Sequence, residues 1–330
     1  MIVSRGGIHL AVLLICTACQ QSSIAAEPDL RYPLFAALTA DNSPTLVTYT
    51  PSQLDPRQEV NQRRLATSSI RADLEALRPA FDGLVLYGYH EACTPRILAV
   101  GRDLKFRVIL LAIWDVKSAA EVDGVAELAQ QYKNDFALGI LVGNEGLTFK
   151  RYETEDLSIA AARLRRKIPA NVPLATSEPL VGYQQEFVVQ FGDFLAPNIH
   201  PVFDNPDAGP ADAAAWVHAR AAELASRAGK PVMVKETGFP HGGKDKYTAV
   251  TQNEFWQSYL KPGVLSRESA GASSWVFTGV GFEAFDLPWK SEESNLGIER
   301  HWGLFSAQRA GYPALATWKA AHDRHAARSR

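Results

Sequence analysis

The residues whose type and spacing best fit chemistry in this 330-residue chain are two glutamates, each closing an apolar run: LGILVGNE (138–145) ends on Glu145 and PVMVKE (231–236) ends on Glu236. Short runs rich in Val, Ile and Leu read as buried strands. A carboxylate at the C-terminal end of a parallel strand sits where barrel enzymes keep their reacting groups. The two lie 91 residues apart (236 − 145), about three strand-helix units at roughly 30 residues each, so they can face each other across one mouth. Acetal cleavage needs a proton for the leaving oxygen and a negative partner on the far side of the anomeric carbon. Two carboxyls with separated pKa values supply both. One strand-end glutamate alone pairs as readily with a structural Lys or Arg; two together favour the chemical reading.

Around them stand residues suited to a sugar. Asn144 precedes Glu145 and can donate to a hydroxyl while its neighbour works on the glycosidic oxygen. After Glu236, the run Thr237-Gly238-Phe239-Pro240 reads as a sharp exit turn whose aromatic lines a subsite. Lys235 is expected on the opposite side of its strand, in a structural contact, by the two-residue period. The stretches 282–290 and 298–305 bring Glu283, Asp286, Trp289, Lys290, Glu299 and Trp302 into one long loop, with Trp275 in the strand before it. Trp275, Trp289 and Trp302 are expected to face the cleft, since sugar faces stack on aromatic rings. Asn198 and His200 end another strand, and His200 is expected to hydrogen-bond in the cleft because no HxH or HExxH spacing lies near it.

The elements that must position these residues alternate. Strands are expected at 45–50, 83–89, 106–114, 137–143, 172–177, 194–200, 231–236 and 272–278, and helices at 67–79, 118–134, 155–167, 211–228, 248–260 and 313–325. In 211–228, Ala213, Trp216, Val217, Ala221 and Leu224 recur at helical spacing, leaving His218, Arg220, Glu223 and Arg227 for solvent. Eight strands alternating with helices favour an α/β fold of the (β/α)8 TIM-barrel kind, single-domain over 27–330, rather than an open doubly wound sheet. No GxGxxG or GxxxxGK[ST] loop follows a strand.

Composition agrees with a large soluble core: 46% hydrophobic, 21% charged, net charge −2. There is no basic field for nucleic acid. At the N-terminus, Arg5, the apolar run Ile8 to Ile15 and small or polar residues to Ala26 have the layout of a secretory signal, too short to span a bilayer. Export to the periplasm or medium is expected, by cleavage after Ala25 or as a lipoprotein anchored at Cys19. Beyond that segment Cys93 is the sole cysteine, so no internal disulfide can form, and it reads as a buried thiol rather than a nucleophile.

Together these residues resemble glycoside hydrolase family 17, the β-1,3-glucanases and glucanosyltransferases, in its bacterial and fungal-wall branch. Tyr87-Gly88 is similar to that family's second-strand Tyr-Gly, Asn144-Glu145 to its acid/base pair, Asn198 to Phe203 to its Asn-x-His-Pro-x-Phe and Glu236-Thr237-Gly238 to its nucleophile segment; 283–290 is similar to its Glu-Ala-Phe-Asp-x-Pro-Trp-Lys, and Glu299 with WGLF (302–305) to its cleft-closing segment. Phe239 stands where Trp is usual, Lys235 where a small residue is common, and Leu287 where a glutamate is usual, leaving Lys290 to lean on Glu283 or Glu299. The resemblance implies a retaining double displacement with Glu145 as acid/base and Glu236 as nucleophile; with the reading of the residues above, substrate contacts are expected from Tyr87, Asn144, Asn198, His200, Phe239, Trp275, Glu283, Lys290 and Glu299. It implies no cofactor and no metal, a β-glucan substrate and a monomer. Transglycosylation by the same site, or a non-catalytic glucan-binding protein, are the alternatives.

Overall fold

The computed structural model describes residues 31–328 apart from 262, 264 and 270, so the expected signal segment and Cys19 lie outside the described residues. The strands are β1 (Leu46–Thr48), β2 (Gly83–Val85), β3 (Val108–Ile113), β4 (Ala137–Asn144), β5 (Leu174–Ser177), β6 (Val232–Met233), β7 (Ser266–Ser269), β8 (Gly271–Phe277) and β9 (Val280–Gly281). Six form a sheet in the order β5-β4-β3-β2-β1-β9. Every pairing in that sheet is parallel. A second sheet holds β6-β8-β7.

The parallel order follows from the chain. Helices follow the strands and cover the outer face, so strands such as β3 (VILLAI) are buried along their whole length and read as unbroken apolar runs. The helices lie close to where the apolar periodicity puts them: Thr67–Leu77, Ala119–Tyr132, Thr154–Arg165, Pro210–Ala228, Ala249–Tyr259 and Pro313–Ala327. Pro210–Ala228 starts with proline in its first turn and stops at Gly229 in the left-handed region (φ +61°). Of its expected solvent-side residues, His218 is half-buried, while Arg227 is exposed as expected and still reaches a carbonyl. His218 bonds the Tyr259 carbonyl at 2.9 Å and Arg227 donates to the Tyr183 carbonyl.

Several features depart from the sequence expectation, among them the unexpected helix Thr94–Asp103 between β2 and β3. The 194–200 segment is no regular strand, because Pro197 has no N–H to give to a ladder; it is held by isolated bridges, Pro179↔Asn198 on one side and Leu195↔Val232 and Asn198↔Glu236 on the other. β7 (SRES), antiparallel to β8, has no apolar residue to announce it. The helix Pro33–Thr39 tucks under the N-terminal ends of the strands. There Phe35 meets Phe194 and Trp275 edge-on at 5.9 and 5.3 Å.

Candidate active site

Glu145 owes its position to a sharp exit from β4. Gly143 (φ +78°) and Glu145 (φ +57°) both take left-handed backbone. At Gly143 a Cβ would lie 2.1 Å from the Tyr152 hydroxyl, so only glycine fits. A non-glycine residue in that region costs on the order of 1–3 kcal/mol and persists where its surroundings over-determine it. Here they do. The Glu145 N–H donates to the Ser177 carbonyl at 2.7 Å, and the Gly146 N–H donates to the Tyr152 hydroxyl at 3.1 Å. Buried Glu178, at the end of β5, accepts from the N–H groups of Leu147 and Thr148 and from the Thr148 hydroxyl. The carboxyl itself accepts from Asn198 Nδ2 at 2.8 Å.

Glu236 sits beyond β6, where the regular strand has already ended. The successive N–H groups of Lys235 and Glu236 both converge on the Pro197 carbonyl, at 3.0 and 3.5 Å, the two-against-one pattern of a β-bulge, which re-aims side chains. The two-residue period therefore fails, and Lys235 does not turn away as its position in the run implies. Its ammonium, 1% exposed, donates to Glu236 Oε1 at 2.5 Å and to Asn144 Oδ1 at 2.6 Å, 4.6 Å from the Tyr87 ring centroid. The other carboxylate oxygen, Oε2, takes His200 Nε2 at 3.2 Å. One polar chain thus joins the two glutamates: Glu145, Asn198, Asn144, Lys235, Glu236, with Asn198 also donating to Asn144 Oδ1 at 3.2 Å.

Identical side chains are pushed opposite ways. Burial, and then the negative charge of Glu236, raise the Glu145 carboxyl above the ordinary value, against the pull of the Asn198 bond. Burial also pushes at Glu236, but the Lys235 ammonium and His200 outweigh it and hold the carboxyl far below the ordinary range. Burial pulls His200 down, yet its bond to Glu236 and the charges of Glu236, Glu145 and Glu299 leave it raised.

A wall follows β9. Glu283, 1% exposed, takes the Lys290 ammonium at 2.5 Å, so the lysine does find a carboxylate, while Leu287 is buried. Burial pushes Glu283 up despite Lys290; burial would lower Lys290, but Glu283 and then Glu236 and Glu299 keep it raised. Glu299 is half-buried and acts on this group through its charge. Tyr87 lies between the two lysines, burial and the charges of Glu236 and Glu283 raising its hydroxyl. The Tyr87 hydroxyl, His200 Nδ1, Thr237 Oγ1 and Glu283 Oε1 are buried without a partner among the described residues.

Not every expected residue reaches the cleft. Phe239 is 4% exposed and packs on Tyr247 and Phe255, because the turn after Gly238 carries it towards the helix Ala249–Tyr259. Trp275 is a core residue against Phe35, at the opposite end of the sheet. Trp302, wholly buried, backs His200 and Phe282 at 5.2 and 5.3 Å. Trp289 stands half-buried under Arg57. Cys93 is buried and burial pushes its thiol up to about 11. Sequence reasoning passed over two others. Glu178 is a third strand-end glutamate, in TSEP, and could have been found by the signal that found the first two. Trp114, directly after β3, is 46% exposed, with the Arg151 guanidinium 4.1 Å over its ring; only its strand-end place could have marked it.

A family model for the BtgE/BtgC glycoside hydrolase domain matches residues 47–303, which includes every element of this site. The chain belongs to that family. Among curated relatives, a probable glucan endo-1,3-beta-glucosidase btgC of Aspergillus clavatus is 25% identical over 276 residues, 73% of this chain and 38% of its own length. A glucan 1,3-beta-glucosidase of Saccharomyces cerevisiae is 22% identical over 73% of this chain and 83% of its own. The chain spans about two-fifths or less of the first curated relatives it matches. Among solved structures, a glycoside hydrolase family 17 beta-1,3-glucanosyltransferase from Rhizomucor miehei superposes with TM-score 0.62 over 82% of this chain and 96% of its own, at 19% identity. The fold is therefore TIM-barrel-like.

Proposed function

We propose that this chain is a retaining glycosidase acting on β-1,3-linked glucan, with Glu145 as acid/base and Glu236 as nucleophile. The observation that carries the reading is the pair itself: two strand-end glutamates on one hydrogen-bonded chain, one pushed to hold its proton and one held ionised. Glu236 attacks the anomeric carbon as Glu145 protonates the departing oxygen. Glu145, then ionised, takes a proton from the incoming water or sugar hydroxyl, and the bond to Glu236 breaks. The partnerless polar atoms of Tyr87, His200 and Glu283 are what a sugar's hydroxyls would satisfy. Another structure of the Rhizomucor enzyme, an active-site mutant, is a complex with laminaritriose, which supports a β-1,3-glucan as the substrate to try.

The reading includes a complete eight-strand ring over one domain, 27–330, in which the bridged 194–200 segment stands as the sixth strand, and action as a cofactor-free monomer. It also includes export directed by residues 1–26, with release after Ala25 or a lipid at Cys19. Incubation with laminarin, with product sizing and NMR of the first-formed anomer, tests the function. Shorter β-configured products support hydrolysis and longer ones transfer by the same intermediate. An inverted anomer or no product at all would overturn the reading, the second leaving a glucan-binding protein.

A further inference from the structure

We infer that Lys235 is a positioning residue that ties the nucleophile to the sugar-facing amide and sets the balance between the two half-reactions. Three observations support this. The ammonium is 1% exposed and donates to Glu236 Oε1 at 2.5 Å and Asn144 Oδ1 at 2.6 Å, so it is spent on these two groups rather than on water. A bulge places it there, since the period of a regular strand would carry it to the other face. An ammonium only donates, so Asn144 must present its oxygen to Lys235, with Asn198 donating to the same oxygen. The Asn144 Nδ2 group is thereby directed away from Lys235 and makes no bond to a described residue.

The consequence concerns charge. In the first half-reaction Glu236 gives an electron pair to the anomeric carbon, the glycosidic C–O bond breaks and the leaving oxygen takes the proton of Glu145; the carboxylate loses its charge. In the second, an acceptor O–H attacks, its proton passes to Glu145, and the C–O bond to Glu236 breaks with its electron pair returning to the carboxylate. A fixed cation beside Glu236 disfavours loss of that charge and favours its return. Lys235 therefore makes Glu236 the better leaving group and shortens the life of the glycosyl-enzyme. Other charges face the same carboxylate: His200 beside it, Glu145 across the cleft, and Tyr87, Glu283, Lys290 and Glu299 around it. Lys235 is the cation in direct contact that belongs to the nucleophile's own segment.

This inference rests on the retaining glycosidase reading, and the test separates the two. Lys235→Met keeps the length without the charge, and Lys235→Gln keeps a donor without the charge. Carbon-13 titration of the Glu236 carboxyl, assigned with Glu236→Gln, should show it titrating about 1–3 pH units higher in both variants than in wild type. With an aryl β-laminaribioside bearing a good leaving group, both should show a burst of one phenol per enzyme, a lowered kcat and a KM lowered in parallel, as the intermediate accumulates. The acid limb of kcat/KM should move to higher pH by the same amount as the carboxyl. A merely structural Lys235 would lower activity without burst or limb shift, and that result, or an unmoved carboxyl, overturns the inference. Should Lys235→Met fail to fold, Lys235→Gln carries the same readouts. A wild-type chain inert on both glucan and aryl glycoside would sink the glycosidase reading and the kinetic half with it, while the titration still decides whether Lys235 holds Glu236 ionised.

Discussion

Glu145 and Glu236 are the same side chain in the same cleft, and only their neighbours give them different work. Glu145 is half-buried next to a negative charge, and its carboxyl is raised; Glu236 is buried next to Lys235 and His200, and its carboxyl is held down. The pH profile follows by sign. Activity requires Glu236 ionised, so it fails only as pH falls through a depressed pKa; it also requires Glu145 protonated, so it fails as pH rises through a raised one. The kcat/KM profile on laminari-oligosaccharides is expected to be a bell whose alkaline limb vanishes in Glu145→Gln, the residual rate being flat. Glu145→Ala should lose about 10²–10⁴-fold on glucan. It should lose much less on an aryl glycoside whose leaving group needs no proton, and azide should partly restore it by standing in for the activated water. Full activity of Glu145→Ala on glucan would move the acid role elsewhere. Both glutamates were legible in the sequence because a strand-end carboxylate is a local pattern, and so was a carboxylate partner for Lys290, which is Glu283, seven residues before it. Lys235 was not, because its direction is decided by the carbonyl of Pro197, 38 residues away (235 − 197).

At the level of the element, the chemistry hangs on how β4 is turned at its end. The turn 145–148 is fixed from behind by Glu178 of the next strand, whose two oxygens take two N–H groups and a hydroxyl. Glu178 hydrogen-bonds to neither Glu145 nor Glu236, so its loss acts through geometry. Glu178→Ala should lower kcat about 10²-fold, the scale of a misplacement near 1 Å, with KM changed little and the protein still folded by circular dichroism. Loss of stability without loss of kcat per folded molecule would count against it. Gly143→Ala probes the same turn from the other side. With φ +78° and Tyr152 in the way, it should cost on the order of 1–3 kcal/mol in urea unfolding and displace the acid. The longer helices with a clear apolar stripe were legible because their periodicity is local, as in Pro210–Ala228, whereas Thr94–Asp103 was not. The 194–200 segment and β7 were misjudged or missed because a bridge and an antiparallel pairing depend on partners distant in sequence, and SRES carries no apolar signal.

Over the whole molecule the two ends of the sheet do separate work. At the C-terminal ends lie the polar chain, the strained turn and the exposed ring of Trp114; at the N-terminal ends lies an apolar plug, where Leu34 and Phe35 of the helix Pro33–Thr39 are buried beneath the strands. Polar groups that must face a substrate cannot also be packed to native density, so stability has to come from the other end. Cys93 is the one cysteine among the described residues and it is free, so within them that packing holds the fold together without a disulfide. Phe35 meets Tyr32, Phe194 and Trp275 at 4.9, 5.9 and 5.3 Å, a cluster that joins the helix to the bridged segment and to β8. Phe35→Ala should therefore cost about 3–5 kcal/mol in denaturant unfolding, yet leave kcat and KM per folded molecule as they were. Trp114→Ala, at the other end, should do the reverse: unfolding shifts by no more than about 0.5 kcal/mol, while KM for long laminari-oligosaccharides rises roughly tenfold, about 1.4 kcal/mol of lost contact. Measured side by side, the two variants test the division directly. A Phe35→Ala protein with altered KM, or a Trp114→Ala protein that unfolds early and binds normally, would mean that packing and binding are not separated along the strand axis.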